Sequence, residues 1–76
     1  MTYPLDQIGP RAPGTIYRNG YDRSVNLVLA VEPATSTWMG WAVTEVTCTE
    51  DGDRLPGERE RRHCTAWDAR RDLVIA

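Results

Sequence analysis

Short runs rich in β-branched, aliphatic and aromatic residues recur along the chain after residue 14, separated by polar turn residues, and this pattern predicts short β-strands. The clearest run is 25–31, whose odd-numbered positions are all large and aliphatic. These are Val25, Leu27, Leu29 and Val31. They predict a strand with one strongly apolar face. A shorter β-branched and aromatic run at 14–18 predicts an earlier strand, and the Asn19-Gly20 pair behind it signals a tight turn.

A third strand is predicted over residues 38–49, which are rich in Trp, Val and Thr. Its two faces would carry Trp41, Val43, Glu45 and Thr47 on one side and Ala42, Thr44, Val46 and Cys48 on the other. Because neither face is purely apolar, we expect a bulge or a twist near Thr44. The segments 32–37 and 50–57 contain Pro, Gly and charged residues typical of loops.

Residues 58–72 admit two interpretations. Glu, Arg and Ala favour a helix, and Glu58 and Arg62 have the spacing of a helical ion pair. The apolar positions form no helical stripe, however, so we favour a strand over 59–67. A single helical turn capped by Thr65 and Asp68 would follow, with a final strand at 73–76. A helix over 58–72 is the alternative.

Five short strands with a helical turn before the last resemble the plan of SH3-like small barrels. The resemblance is architectural, covers residues 14–76 and includes no family signature motif. It implies a mainly β, five-stranded barrel domain, and it favours binding over catalysis because such barrels serve many functions.

Residues 1–13 are predicted to form a Pro-rich extended arm in front of this single domain. Prolines and a glycine interrupt the segment, so regular helix is not expected there. The arm would lie over the domain through Tyr3, Leu5 and Ile8. The stretch 10–13 would also suit docking onto this domain or onto a neighbouring copy.

Charge and length argue against a membrane-spanning or secreted protein. The chain has 76 residues, nine arginines, no lysine and a net charge of −2. Codon usage in a GC-rich genome explains arginine without lysine, and the alternative is selection for guanidinium contacts to carboxylate or phosphate. The longest uncharged run, 33–44, is too short to span a bilayer, and no secretory leader is visible. We therefore expect a cytoplasmic, bacterial-type protein with no membrane association.

Cys48 and Cys64 lie sixteen residues apart, and His63 precedes the second. A structural zinc site needs four ligands in short spacings, so we predict no metal and no cofactor. A disulfide between neighbouring strands is geometrically allowed, but a reducing compartment favours two small buried thiols. His63 would not activate Cys64, because adjacent strand residues point to opposite faces.

Motifs of catalysis are missing from the sequence. There is no Gly-rich phosphate loop, no Gly-x-Ser-x-Gly elbow and no His-Glu-x-x-His pair. We therefore predict that the protein is not an enzyme.

The aromatic residues point to binding. All of them are Tyr or Trp, which are enriched at recognition surfaces. We predict a protein- or peptide-binding aromatic surface made of Trp38, Trp41, Trp67, Tyr17 and Tyr21. Trp38, beside a loop, is the best surface candidate. The competing interpretation is that a domain without Phe uses these rings to fill its core.

Two other functions are open. If 59–67 is extended, Arg59, Arg61, His63, Thr65 and Trp67 share one face, which would suit phosphate contacts with a base stacked on the indole. The nucleic-acid-binding set would then be Arg59, Arg61, Arg62, His63, Arg70 and Arg71. Alternatively these arginines form a solvated face paired with Glu45, Glu58 or Glu60. The remaining possibility is a self-associating accessory protein, of phage or plasmid type, that occludes a partner.

Overall fold

A computed structural model describes residues 5–34 and 39–76, with side chains from Gln7 onward. Its elements are α1 (Leu5–Ile8), β1 (Ile16–Arg18), β2 (Val25–Pro33), β3 (Trp41–Thr47), β4 (Arg61–His63) and β5 (Leu73–Val74). The strands form one antiparallel sheet in the order β4-β3-β2-β1-β5, with β4 and β5 at its open edges. The predicted mainly β class and its five strands are therefore confirmed.

One bulge interrupts the pairing of β2 with β3. Its extra residue is Leu29, which lies between the pairs Val28–Glu45 and Ala30–Thr44. The bulge expected near Thr44 is therefore present, but it lies on the strand opposite that residue. An inserted residue reverses the alternation of side chains beyond it.

The bulge decides which residues of β2 are buried. Asn26 and Val28 are fully buried, whereas Leu27 and Leu29 are only half-buried. The prediction of a buried face built from odd-numbered residues is therefore wrong for the first half of this strand. Beyond the bulge Val31 packs against the same core as Val28.

The core lies on what we call the front face of the sheet, the face that carries Tyr17, Val28 and Val43. Trp41 extends this cluster along β3, and Ile8 reaches it from α1. All five side chains are at most 2 % exposed. Ile8, which precedes β1, therefore contributes to the core of the sheet.

A short helix replaces the predicted extended conformation in this segment. Pro4 precedes α1 in the sequence, and proline is tolerated in the first turn of a helix because the N–H groups there lack intrahelical partners. Gly9, with a φ of 64°, ends the helix in the left-handed conformation. Pro10 then prevents its continuation. The expected contact of Tyr3, and that of the Leu5 side chain, lie outside the described part of the chain.

Between residues 58 and 72 the strand interpretation is confirmed and the helix is wrong. Arg61–His63 pairs antiparallel with β3, although the strand is shorter than predicted. The chain then leaves the sheet, and the Trp67 amide donates to the Gln7 carbonyl at 2.6 Å. A single turn precedes β5, in which the Asp68 carbonyl accepts from the Asp72 amide at 2.8 Å.

Candidate functional site

Towards one end of the front face the apolar core gives way to polar side chains. Tyr17, Asn26, Glu45 and His63 project there from β1, β2, β3 and β4. Strand alternation brings them to one side of the sheet because Glu45 pairs with Arg61, and His63 lies two residues further along β4. They line a pocket of about 120 Å³, which we call the polar pocket.

Glu45 is the centre of the polar pocket, and it is 2 % exposed. The Tyr17 hydroxyl donates to its Oε1 at 2.7 Å, His63 Nε2 contacts the same oxygen, and Arg61 Nη2 lies 3.6 Å from Oε2. Burial alone would raise the pKa of Glu45. The hydrogen bonds from His63 and Tyr17, with the neighbouring positive charges, outweigh burial and hold that pKa below its usual value. Glu45 is therefore ionised at neutral pH.

The hydrogen bonds of His63 define its tautomer. The Thr65 amide donates to Nδ1 at 3.1 Å, so the neutral ring carries its proton on Nε2 and donates it to Glu45. Both ring nitrogens are thus engaged within the protein. The Tyr17 hydroxyl is engaged too, and burial together with the Glu45 carboxylate raises its pKa. A general base needs a lone pair directed at a ligand, and this network instead directs its groups at one another.

Arg61 closes the network on the solvent side. Its guanidinium donates to Asn26 Oδ1 at 2.5 Å and to Thr47 Oγ1 at 2.8 Å, besides its ion pair with Glu45. This arrangement holds β2, β3 and β4 together through side chains as well as through the sheet.

Arg11 lies beneath the polar pocket and is 4 % exposed. Its Nε donates to the Ile8 carbonyl at 2.8 Å, and its Nη2 donates to the carbonyls of Gln7 and Thr65 at 2.9 and 2.8 Å. The guanidinium also lies 5.6–6.0 Å from three aromatic ring centres. The rings are those of Tyr17, Trp41 and Trp67. The burial and hydrogen bonds of Arg11 were not predicted, because nothing in its position between Pro10 and Ala12 indicates a buried residue.

The predicted aromatic binding residues fall into different environments. Tyr17 and Trp41 are core residues, 2 % and 0 % exposed. Trp67 is half-buried and packs edge-on against Tyr17, with 5.4 Å between ring centroids. Tyr21 is 67 % exposed. Trp38 lies outside the described residues, so among those that are described Tyr21 is the member of the set available to a partner.

Tyr21 lies in the β1–β2 loop, residues 19–24, where a tight two-residue turn was predicted. Asn19 organises this longer loop, because its Oδ1 accepts the amides of Tyr21 and Asp22 at 2.8 and 3.2 Å. The Arg23 amide donates to the Asn19 carbonyl at 2.9 Å. The loop therefore has a defined conformation although it is exposed.

The turn before β5 holds the Tyr21 side chain in place. The Tyr21 hydroxyl donates to Asp68 Oδ2 at 3.0 Å, and the Arg71 guanidinium stacks 5.0 Å from the ring centre. The hydrogen bond from the Arg70 amide is the main reason that the pKa of Asp68 is lowered. We call Tyr21, Asp68 and Arg71 together the Tyr21 surface.

A second cleft, of about 340 Å³, opens beside the β1–β2 loop. It is lined by Arg18, Asn19, Gly20, Arg23 and Arg71. We call it the arginine cleft. Arg71 connects it to the Tyr21 surface, since it contributes to both.

The predicted basic ribbon is only partly formed. Arg61 and His63 share one face as expected, but both contact Glu45, as the alternative of paired arginines proposed. Arg62 pairs with Glu32 at 3.2 Å.

The other members of the predicted nucleic-acid-binding set lie apart from this strand. Arg59 is exposed and precedes β4, whereas Arg70 and Arg71 are exposed in the turn before β5. The strand therefore does not bring the six predicted residues together.

Both cysteine thiols are free, Cys48 buried and Cys64 half-buried. Burial is the main reason that the pKa of Cys48 is raised. Among the side chains of residues 7–34 and 39–76 no three of His, Cys, Asp or Glu cluster in a way that could hold a metal ion. The same ranges contain no helix with the length and apolar character needed to cross a membrane.

Comparison with protein-family models, with curated proteins and with solved structures finds no match to this chain. Function therefore has to be inferred from the geometry of the domain itself.

Proposed function

We propose that this domain is a non-catalytic module that binds a segment of a protein partner at the Tyr21 surface. The observation that carries the proposal is that Tyr21 is 67 % exposed and yet held by Asp68 and Arg71. Tyr and Arg side chains dominate binding energy at protein interfaces. A ring that is already immobilised loses little further conformational entropy on binding.

The polar pocket supports a non-catalytic role. The titratable groups at its centre, Tyr17, Glu45 and His63, are hydrogen-bonded to one another or to the main chain. Such a network stabilises the sheet beneath the loop that presents Tyr21.

The SH3-like fold and the cellular compartment are part of the same proposal. The sheet order, with β1 between β2 and β5, supports an SH3-like arrangement of the strands. The free thiols of Cys48 and Cys64 support a reducing compartment such as the cytoplasm.

Peptide display tests the proposed binding site. A random peptide library is selected on the immobilised full chain, and the affinities of the enriched peptides are measured for the wild type and for Tyr21→Ala. Loss of a hot-spot aromatic costs about 2 kcal/mol or more, which is roughly a 30-fold loss of affinity. The matched control is Leu55→Ala, which removes another exposed hydrophobic side chain, 39 % exposed and outside the surface.

We expect less than a twofold effect on affinity from Leu55→Ala. Both variants should unfold cooperatively, with a slightly lower midpoint for Tyr21→Ala because it loses the hydrogen bond to Asp68. Peptides that bind Tyr21→Ala as tightly as the wild type would refute the site. A library that yields no specific peptide would refute peptide recognition.

Nucleic-acid binding is the second candidate, favoured by the exposure of Arg70 and Arg71 close to the arginine cleft. Phosphate contacts would make the logarithm of affinity fall with the logarithm of salt by about 0.9 per neutralised phosphate. An electrophoretic shift series at increasing salt measures this slope. Absence of any complex with DNA or RNA pools at low salt would exclude this function.

Self-association is the third candidate, favoured by the exposed apolar side chains of the edge strand β5. Leu73 and Val74 are 60 % and 41 % exposed there, and uncovered edge strands pair readily with another chain. Light scattering at two protein concentrations tests it, because a dimer through this edge predicts a mass that rises with concentration.

A further inference from the structure

We infer that the arginine cleft is a carboxylate-binding subsite, which receives an acidic side chain of the peptide bound at the Tyr21 surface. This inference rests on the proposed function and adds the chemical class of the ligand. Three arginine residues line the cleft from separate parts of the chain. They are Arg18 at the end of β1, Arg23 in the β1–β2 loop and Arg71 in the turn before β5.

The positive charge of the cleft is only partly compensated within the chain. Arg18 pairs with Glu50 at 2.6 Å, and Arg71 lies 3.8 Å from Asp68. Arg23 has neither an ion pair nor a side-chain hydrogen bond with residues 7–34 or 39–76. The cleft therefore offers an unpaired guanidinium beside two that are partly exposed.

The backbone at Arg23 is held in an unfavourable conformation. Its φ is 64°, and among the described residues it is the one non-glycine residue with a positive φ. Residues with a Cβ avoid this region, whereas Gly and Asn tolerate it. Strained positions of this kind cluster at ligand-binding sites, where the side chain has a role that offsets the strain.

The charge around the cleft favours a single carboxylate over a nucleic-acid strand. Asp22, Asp68 and Asp72 lie in the same loop and turn as the arginines, and Asp72 accepts the Gly20 amide at 2.8 Å. These carboxylates would repel a continuous phosphate backbone, but they leave room for one oxyanion between the guanidinium groups. Guanidinium N–H groups donate strongly to carboxylate oxygens, and the ion pair of Arg18 with Glu50 shows this chemistry at the edge of the cleft.

The position of Arg71 sets where the acidic residue lies in the peptide. Its guanidinium stacks on Tyr21 and its side chain also lines the cleft. An acidic side chain in the cleft therefore lies next to the peptide residue that packs on Tyr21.

The first test uses small anions on the full-length chain. ¹H–¹⁵N spectra are recorded during titration with sodium acetate and with sodium phosphate, at an ionic strength held constant with chloride. We expect saturable acetate-induced shifts of the Gly20 and Arg23 amides and of the arginine Nε–H signals. Arg23→Asn should abolish them, and Arg59→Asn, which changes an exposed arginine outside the cleft, should leave them intact.

Arg23→Asn also separates binding from folding. Asparagine tolerates the left-handed conformation, so we expect the thermal unfolding midpoint to stay equal or to rise while the acetate shifts disappear. Shifts that persist in Arg23→Asn, or that grow linearly without saturation, would overturn the subsite. Tighter binding of phosphate than of acetate would overturn the assignment to carboxylates.

The second test uses the peptides selected on the wild-type domain. Replacing their acidic residue by its amide should weaken binding about tenfold to the wild type and by less than twofold to Arg23→Asn. If peptides depend on Tyr21 but not on an acidic residue, the subsite is wrong and the proposed function stands. If acetate binds but no peptide depends on Tyr21, the proposed function is wrong and the subsite stands. Displacement of acetate by single-stranded oligonucleotides at lower concentration than by any peptide would overturn the inference.

Discussion

Replacement of Arg11 by methionine is the sharpest test of how this domain is held together. Methionine fills a similar volume but has no N–H group, so the variant removes the donors and keeps most of the packing. In the folded protein Arg11 donates to the carbonyls of Gln7, Ile8 and Thr65, and it stacks among three rings. Within residues 7–34 and 39–76 no carboxylate forms an ion pair with it.

The size of the effect follows from these contacts. The bond to Ile8 is buried, and a buried hydrogen bond from a charged group contributes about 1.5–3 kcal/mol. The bonds to Gln7 and Thr65 are part-buried and add about 0.5–1 kcal/mol each. With a small contribution from the rings, we expect Arg11→Met to lower the free energy of unfolding by about 3–5 kcal/mol. A domain of this length is stable by about 4–11 kcal/mol in total.

Urea unfolding followed by tryptophan fluorescence measures this loss. Arg59→Met is the matched control, because Arg59 is exposed and its replacement should change stability by less than about 0.5 kcal/mol. If Arg11→Met leaves no cooperative transition, Arg11→Lys gives a measurable intermediate, since it keeps the charge but loses the planar fork of donors. A loss below about 1 kcal/mol for Arg11→Met would show that the hydrogen bonds of Arg11 do not stabilise the domain.

Three further predictions concern the polar pocket and the end of α1. Because the pKa of Glu45 is lowered, its ionised form stabilises the folded protein above the usual carboxyl pKa. We expect this contribution to disappear as the pH falls below about 4. Thermal unfolding against pH measures it, and stability should fall less steeply in acid for Glu45→Gln than for the wild type. Because burial and Glu45 raise the pKa of Tyr17, stability should fall above about pH 10, where this tyrosine ionises in the unfolded chain. Tyr17→Phe should remove this alkaline loss and lower the stability at neutral pH by about 1–2 kcal/mol. An unchanged loss of stability at alkaline pH would contradict the raised pKa of Tyr17. Gly9→Ala should destabilise the domain by about 2–4 kcal/mol in urea unfolding. The new Cβ would lie 2.7 Å from Trp67 Cβ, on a backbone with positive φ. An unchanged free energy of unfolding would show that the indole moves aside.

The residue pattern alone predicts most of the sheet. Apolar and β-branched runs between turn residues, with the lack of a helical stripe in 58–72, predicted five strands, and the two faces predicted for residues 41–47 agree with the observed register. Arg61 and His63 fall on one face for the same reason, because alternation is a local property of extended backbone. The helical turn of α1 was missed, since a single turn between Pro4 and Pro10 leaves too few positions for a periodic pattern.

Which of these residues are buried, and what they contact, depends on the tertiary structure. Arg11 is buried because residues from its own segment and Thr65, 54 positions away, supply acceptors for its donors. Tyr21 is held by Asp68, 47 positions away. A polar side chain can be buried only where its partners are brought to it, and those partners come from strands and turns that are distant along the chain. Local pattern therefore predicted the strands, whereas the polar pocket, the Tyr21 surface and the arginine cleft exist only once the strands have paired.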